Sequence, residues 1–196
     1  GSEDKGRVLA TLSLQRGYYD FAYPHWRFIV LDGTDLSLFA PEKGSRRYKE
    51  SKSMLRRLRK GGIANALMKN GGVSTEQMTW LRQTLDKALA VGEKVVLFCH
   101  YPVFPESSYN LWNNREVLQL LESYENVVAY INGHDHKGNY QEKNSIHYLT
   151  LKAMVETEKE NSFSIIDLYA DHLQLKGFGR EASRTLYFRV PEAINR

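Results

Sequence analysis

Cysteine is almost absent: Cys99 stands alone among 196 residues. No disulfide can form within the chain, which suits a reducing compartment, and a cytoplasmic setting is expected. No apolar run approaches the roughly 20 residues needed to cross a bilayer, so no membrane role is expected. No signal peptide is visible. Gly1-Ser2 reads as a tag remnant, so the natural start is expected to lie outside this sequence. Internal repeats and low-complexity tracts are lacking. So are the Gly-x-Ser-x-Gly elbow of a serine hydrolase and the Gly-x-x-x-x-Gly-Lys phosphate loop, which removes two common nucleophile and nucleotide readings.

What remains is globular in composition, with 42% hydrophobic and 26% charged residues. A chain this long can bury a core without staples, so any metal is expected to be functional. The formal charge is +4 with a pI near 9.0. The excess is concentrated in Arg46, Arg47, Lys49, Lys52, Arg56, Arg57, Arg59 and Lys60. No aromatic pattern interleaves with these charges, so the stretch reads as a solvated helix, with no nucleic-acid partner expected. Met54, Leu55 and Leu58 give it one apolar stripe and Gly61-Gly62 a stop, making 41–62 a basic helical excursion from a single domain.

Two periodicities divide the rest. WRFIVL (26–31), KVVLFC (94–99) and VVAYI (127–131) read as buried strands. Ser74, with Gln77 three residues on, forms a capping box for a helix over 75–91. Asn113 is placed to cap a second helix with Val117, Leu118 and Leu121 on its apolar face. Strand, helix and strand at short spacing predict a βαβ crossover with parallel neighbours. Beyond His136, segments 146–151, 163–169, 172–176 and 185–189 read as an antiparallel meander. The fold class is α/β.

Ligand sites in such sheets gather beyond the carboxyl ends of the strands. His100 follows one strand directly, and His134 and His136 follow another. If these strands are neighbours, three imidazoles meet at one sheet edge, where neutral imidazole suits Mn, Fe or Zn more than Ca or Mg. Gly133 is expected to let the backbone turn sharply before His134. His25, His147 and His172 are expected to be structural or exposed. Adjacent strand residues face opposite ways, so Cys99 and His100 should not form a dyad, and Cys99 reads as a buried thiol.

At Cys99-His100 and Gly133-His134-Asp135-His136 the chain resembles the calcineurin-like metallophosphoesterases, whose motifs are Gly-His and Gly-His-x-His. Cys99 replaces the first glycine and leaves the ligand in place. Within that family it looks like the manganese-dependent ADP-ribose/CDP-alcohol diphosphatases, through FIVLDGTDLS (28–37), NGGVSTEQMTWL (70–81), HYPVFPES (100–107), LWNNREVL (111–118), INGHDHKGNY (131–140) and IHYLTLKAMVET (146–157). The resemblance implies a β-sandwich flanked by helices, α/β/β/α, and two divalent metal ions, with manganese the first choice and iron or zinc alternatives. It implies hydrolysis of a phosphoanhydride in a small nucleotide diphosphate by a metal-bound hydroxide. His100 and His134 would hold the second metal and His136 the first, with His136 also catalytic. Asn70, Gly71, Gly72, Trp112 and Asn113 match positions expected to line a nucleotide pocket.

The chain departs from the family at the other end of the site. Asp-x-His, Gly-Asp-x-x-Asp and Gly-Asn-His do not occur, and Asp20 and Asp32, the first plausible carboxylates, sit in no such motif. The N-terminal βαβ part is expected to be missing, leaving a partial metal site and exposed sheet edges that favour self-association. The alternative is an inactive nucleotide-binding or protein-interaction module on the same scaffold.

Overall fold

The computed structural model describes residues 2–189. Helix α1 (Ser2–Thr11) precedes a hairpin of strands β1 (Tyr19–Tyr23) and β2 (Trp26–Val30). The basic helix α2 (Arg46–Lys60) and helix α3 (Thr75–Ala90) follow, then β3 (Lys94–Cys99), α4 (Asn114–Glu122) and β4 (Val127–Asn132). The chain continues through β5 (Asn139–Lys143), β6 (Ile146–Thr150), β7 (Ser162–Leu168), β8 (His172–Gly179) and β9 (Arg184–Tyr187). The first six strands form one sheet in the order β1-β2-β3-β4-β6-β5, and β7-β8-β9 form a second. β2, β3, β4 and β6 run parallel; for β3 and β4 the βαβ spacing predicts it.

Side-chain alternation on the central strands builds two cores at once. Ile29, Val95, Leu97 and Tyr130 face α3 and α4 and pack with Leu81, Leu85, Val117 and Leu121. Val96, Ala129, Ile131 and Leu149 face the other way, onto Leu173, Leu175 and Leu186 of the second sheet. Every one of these side chains is at most 3% exposed. Burying one such aliphatic chain contributes about 1.5–3 kcal/mol, so each face has a strong energetic grip on register. Among the described residues these cores supply three layers of the expected four: helices, sheet and sheet. The outer face of the small sheet leaves Phe163, Ile165 and Phe178 exposed.

Several local expectations are redirected by tertiary contacts. Segment 146–151 does not open the meander: β6 joins the parallel sheet beside β4, and the polar strand β5 zips onto its outer side. The meander proper is β7–β9. The Ser74 hydroxyl does accept from Gln77 N–H at 3.2 Å. The Gln77 amide, however, does not return to Ser74. It clamps the backbone of Asp32, accepting from Asp32 N–H at 2.8 Å and donating to Asp32 O at 3.1 Å. Asn113 sits at the start of α4 but makes no side-chain cap bond. Its amide pairs with Val73, taking Val73 N–H at 3.1 Å and giving to Val73 O at 2.9 Å. Both amides tie down main-chain groups of segments distant in sequence, and these long-range bonds outweigh capping a helix end near solvent.

The excursion behaves as its stripe predicts. Ser45 caps α2 by accepting from Tyr48 N–H, and Gly61 closes it through Arg57 O. Leu55, with Met54 and Leu58, covers Leu36, Ala66 and the indole of Trp112 in a third cluster. Among the described residues no helix is long and apolar enough to cross a membrane.

Candidate metal centre

β3 and β4 are direct parallel neighbours, with Cys99 beside Asn132. His100 and Gly133 therefore leave the sheet together, and Gly133 N–H donates to His100 O at 3.1 Å. The two imidazoles that follow meet: His100 Nε2 lies 3.0 Å from His134 Nδ1. The sharp turn belongs to His134 itself, at φ +70°, and Gly133 has no positive φ. A side chain in the left-handed region costs about 1–2 kcal/mol, and such strain collects at functional sites.

Around His134 the site is built from aromatic rings and amides. Tyr101 and Tyr109 approach its ring at 4.5 and 5.8 Å between centroids. On its far side, His134 Nε2 lies 3.0 Å from Asn70 Oδ1. Burial, with His100 and Lys69 adding positive charge nearby, lowers the His134 pKa to about 4. Burial first and His136 second also lower that of His100. Both rings are neutral at pH 7 and can offer lone pairs. His136 stands at the exposed rim, where its Nδ1 pairs with Glu156 Oε1 and its Nε2 is left over.

Two observations bear on whether a cation fits. Donors set at right angles about 2.1 Å from one ion lie about 3.0 Å apart, which is the spacing of the two facing nitrogens. Asn132, at the end of β4, is 4% exposed and its Oδ1 has no hydrogen-bond partner, although its Nδ2 donates to Thr150 Oγ1 at 2.9 Å. A buried acceptor of this kind needs an explanation, and an ion or its water supplies one. The histidine pair thus fits part of a transition-metal centre. Among the described residues, no group of three or more His, Cys, Asp or Glu converges to complete it.

The three histidines and Asn132 share an open cleft of about 630 Å³ between the two sheets, walled by Phe98, Ile131 and Ile166. The five residues expected to line a nucleotide pocket lie behind this surface. Asn70 is fully buried, Trp112 is 1% exposed, and the Trp112 indole donates to Leu67 O at 3.0 Å. Asn113 is held by Val73 as described above. Gly71 and Gly72 press against the loop after β2: Gly72 exchanges both main-chain bonds with Leu36, at 2.7 and 2.9 Å. A Cβ on Gly71 would fall 2.2 Å from Gly33 O. This segment forms the scaffold of the wall.

Asp20 pairs with Arg27 at 2.8 Å, and Asp32 binds Lys5 and Thr34, so neither reaches the histidines. Cys99 is buried on the helix side, away from His100, and burial raises its pKa. His147 is buried between Tyr140 OH and Tyr187 O, a structural role. His25 lies at the β1–β2 turn at φ +68°, and His172 pairs with Asp171. Asn132, Tyr101 and Glu156 were not anticipated. Asn132 carried a usable signal, a polar residue ending a fully buried strand. Glu156, twenty residues from His136, carried none.

No protein-family model matches the chain. It is 33% identical over 189 residues to the manganese-dependent ADP-ribose/CDP-alcohol diphosphatase of Xenopus laevis, covering 89% of this chain and 53% of that protein. The human protein of the same name is 31% identical over 192 residues, covering 91% of this chain and 56% of that one. Among solved structures, a dimetal phosphatase from Danio rerio superposes with a TM-score of 0.82 at 29% identity, covering 92% of this chain and 63% of that one. The chain spans little more than half the length of these curated relatives. Over nine-tenths of its own length the chain is similar to the manganese-dependent ADP-ribose/CDP-alcohol diphosphatases, and its fold matches that part of a dimetal phosphatase.

Proposed function

We propose that the chain carries the histidine side of a two-metal hydrolase site acting on phosphoanhydrides of the ADP-ribose or CDP-alcohol type. The observation that carries this reading is the facing pair His100 Nε2 and His134 Nδ1, 3.0 Å apart at the carboxyl edge of the parallel sheet. Ligand sites in parallel sheets gather beyond the carboxyl ends of the strands, and the fold matches that of a dimetal phosphatase, which supports this reading. His100 and His134 would hold one ion and His136 the other, with manganese favoured by the relatives' names and iron or zinc also suited to imidazole. Bound divalent ions would polarise phosphoryl oxygens and lower the pKa of water.

The chain's own residues do the rest. Neutral His100 and His134 present lone pairs without first shedding a proton to solvent. His136, with Nδ1 paired to Glu156, has only Nε2 left, which would offer its lone pair to the ion or, with no ion on it, hold or hand over a proton near a leaving oxygen. The cleft has the size of a nucleotide site, and its apolar walls suit a base and ribose better than free phosphate.

The test is direct. The 196-residue chain is analysed for bound Mn²⁺, and hydrolysis of ADP-ribose and CDP-choline is measured with and without Mn²⁺. Saturable Mn²⁺ binding that His134→Ala abolishes supports the reading, and absence of binding to the wild type overturns it. That no third ligand converges among the described residues favours a second reading, a non-catalytic nucleotide-binding module. Tight nucleotide binding without metal or turnover would select it.

A further inference from the structure

We infer that Asn70 is a positioning residue for His134: it dictates which ring nitrogen carries the proton and so which lone pair faces the metal position. The inference rests on the metal-centre reading above, and it reaches a residue 64 positions away that touches neither solvent nor cleft.

The argument is one of donors and acceptors. Asn70 Nδ2 donates to two main-chain carbonyls, Asn65 O at 2.9 Å and Ser108 O at 2.7 Å. A carbonyl only accepts, so the amide cannot be flipped: an oxygen in that place would face two oxygens. Oδ1 is therefore the atom 3.0 Å from His134 Nε2. An amide oxygen also only accepts, so Nε2 must carry the hydrogen. In a neutral imidazole, the other nitrogen then holds the lone pair. That nitrogen, Nδ1, is the one facing His100 Nε2 at 3.0 Å. Without an ion, a proton on His100 Nε2 can bridge the two rings, and a cation can take its place when His100 shifts to the tautomer that carries the hydrogen on Nδ1. The opposite tautomer would set an N–H at the metal position and two acceptors against each other at Asn70.

The backbone agrees. His134 is held at φ +70°, and Tyr101 and Tyr109 fix its ring from the sides. A strained residue persists where its surroundings over-determine it. Partners that fix the ring of a metal-binding histidine typically matter 10–100-fold in metal affinity.

The experiment uses the full chain with ¹⁵N-labelled histidine, metal-free and near pH 7.5. Long-range ¹H–¹⁵N correlation reads the His134 tautomer, and calorimetry reads Mn²⁺ affinity. Wild type is expected in the Nε2–H form. Asn70→Leu, which removes the acceptor, is expected to move population to Nδ1–H and to weaken Mn²⁺ binding about 10–100-fold. Asn70→Asp keeps an acceptor oxygen toward His134 but sets its second oxygen against Asn65 O and Ser108 O, so it is expected to be less stable and, where folded, to retain the Nε2–H form. An Nδ1–H tautomer in the wild type overturns the inference, as does an Asn70→Leu chain with unchanged tautomer and unchanged affinity. Should neither variant fold, the wild-type spectrum decides. A wild-type chain that binds no Mn²⁺ overturns the metal-centre reading instead, and the spectrum still rules on Asn70.

Discussion

Gly71→Ala should damage this protein far more than Gly133→Ala, although Gly133 belongs to the metal motif and Gly71 does not. Neither glycine has a positive φ, so both substitutions gain about 0.4–1 kcal/mol from a stiffer unfolded chain. Space separates them. A Cβ at Gly133 meets nothing closer than His100 O at 3.9 Å. One at Gly71 lands 2.2 Å from Gly33 O and 3.0 Å from Leu36 O, both of them main chain. Contacts under 3.0 Å are essentially never seen for a Cβ, so Gly33 must retreat by about 0.8 Å. Overpacking of this kind costs about 1–3 kcal/mol. The retreat also pulls on the two Leu36–Gly72 bonds, worth about 0.5–1.5 kcal/mol each.

The net expectation is a loss of about 2–4 kcal/mol for Gly71→Ala and a change within about 1 kcal/mol for Gly133→Ala. Urea unfolding of the metal-free chains, followed by tryptophan fluorescence, measures both. At about 2–4 °C per kcal/mol for a chain of this size, Gly71→Ala should melt roughly 4–16 °C lower. A Gly71→Ala midpoint equal to wild type would refute the close-approach argument. So would a Gly133→Ala loss as large as that of Gly71→Ala.

Other outcomes follow from single groups. Because the fold lowers the His134 pKa to about 4 from 6.5, its neutral-state contribution is complete above about pH 6.5 and is lost as pH falls toward 4; an NMR titration of the metal-free chain should find its midpoint near 4. A midpoint near 6.5 would show that the ring is not enclosed as described. Cys99 should resist a thiol reagent in the native chain at pH 8 and react fully in denaturant, since burial raises its pKa and blocks access. Asn113→Ala should cost about 2–4 kcal/mol in denaturant unfolding by stranding Val73 N–H and C=O, where a lost helix cap alone would cost about 1 kcal/mol. Trp112→Phe should cost about 0.5–1.5 kcal/mol in denaturant unfolding, since Leu67 O loses the indole donor but keeps Asn70 N–H at 3.2 Å, with Mn²⁺ binding unchanged because the indole is 1% exposed.

The parts of this fold that were legible in the sequence are those written in one element at a time. KVVLFC and VVAYI announce buried strands, and the helix between them makes them parallel, so the meeting of His100 with His134 followed from local pattern. The hairpin of β1 and β2 was not legible: Tyr19–Tyr23 is largely exposed, and only its pairing with Trp26–Val30 makes it a strand. β5 is the same case, a polar segment recruited by β6. Ser74-x-x-Gln77 and Asn113 were readable as caps, yet the Gln77 and Asn113 amides were drawn to main-chain groups of Asp32 and Val73, distant in sequence and closed off from water.

The site divides along the same line, and His134 shows why. Its neighbours in sequence suggested that glycine takes the strained turn and that the histidine merely follows. In the structure the histidine takes the strain, which only contacts from elsewhere can hold. Asn70 supplies one of them, anchored in turn by Asn65 O and Ser108 O, so that three separate loops determine one ring nitrogen. Short motifs record the donor atoms, because donors must leave the strand ends at fixed spacing. They do not record the proton on the far side of the ring, because any buried acceptor, from any loop, can hold it. The residues to mutate first in such a site are therefore the buried amides that face a ligand's second nitrogen, which spacing alone never singles out.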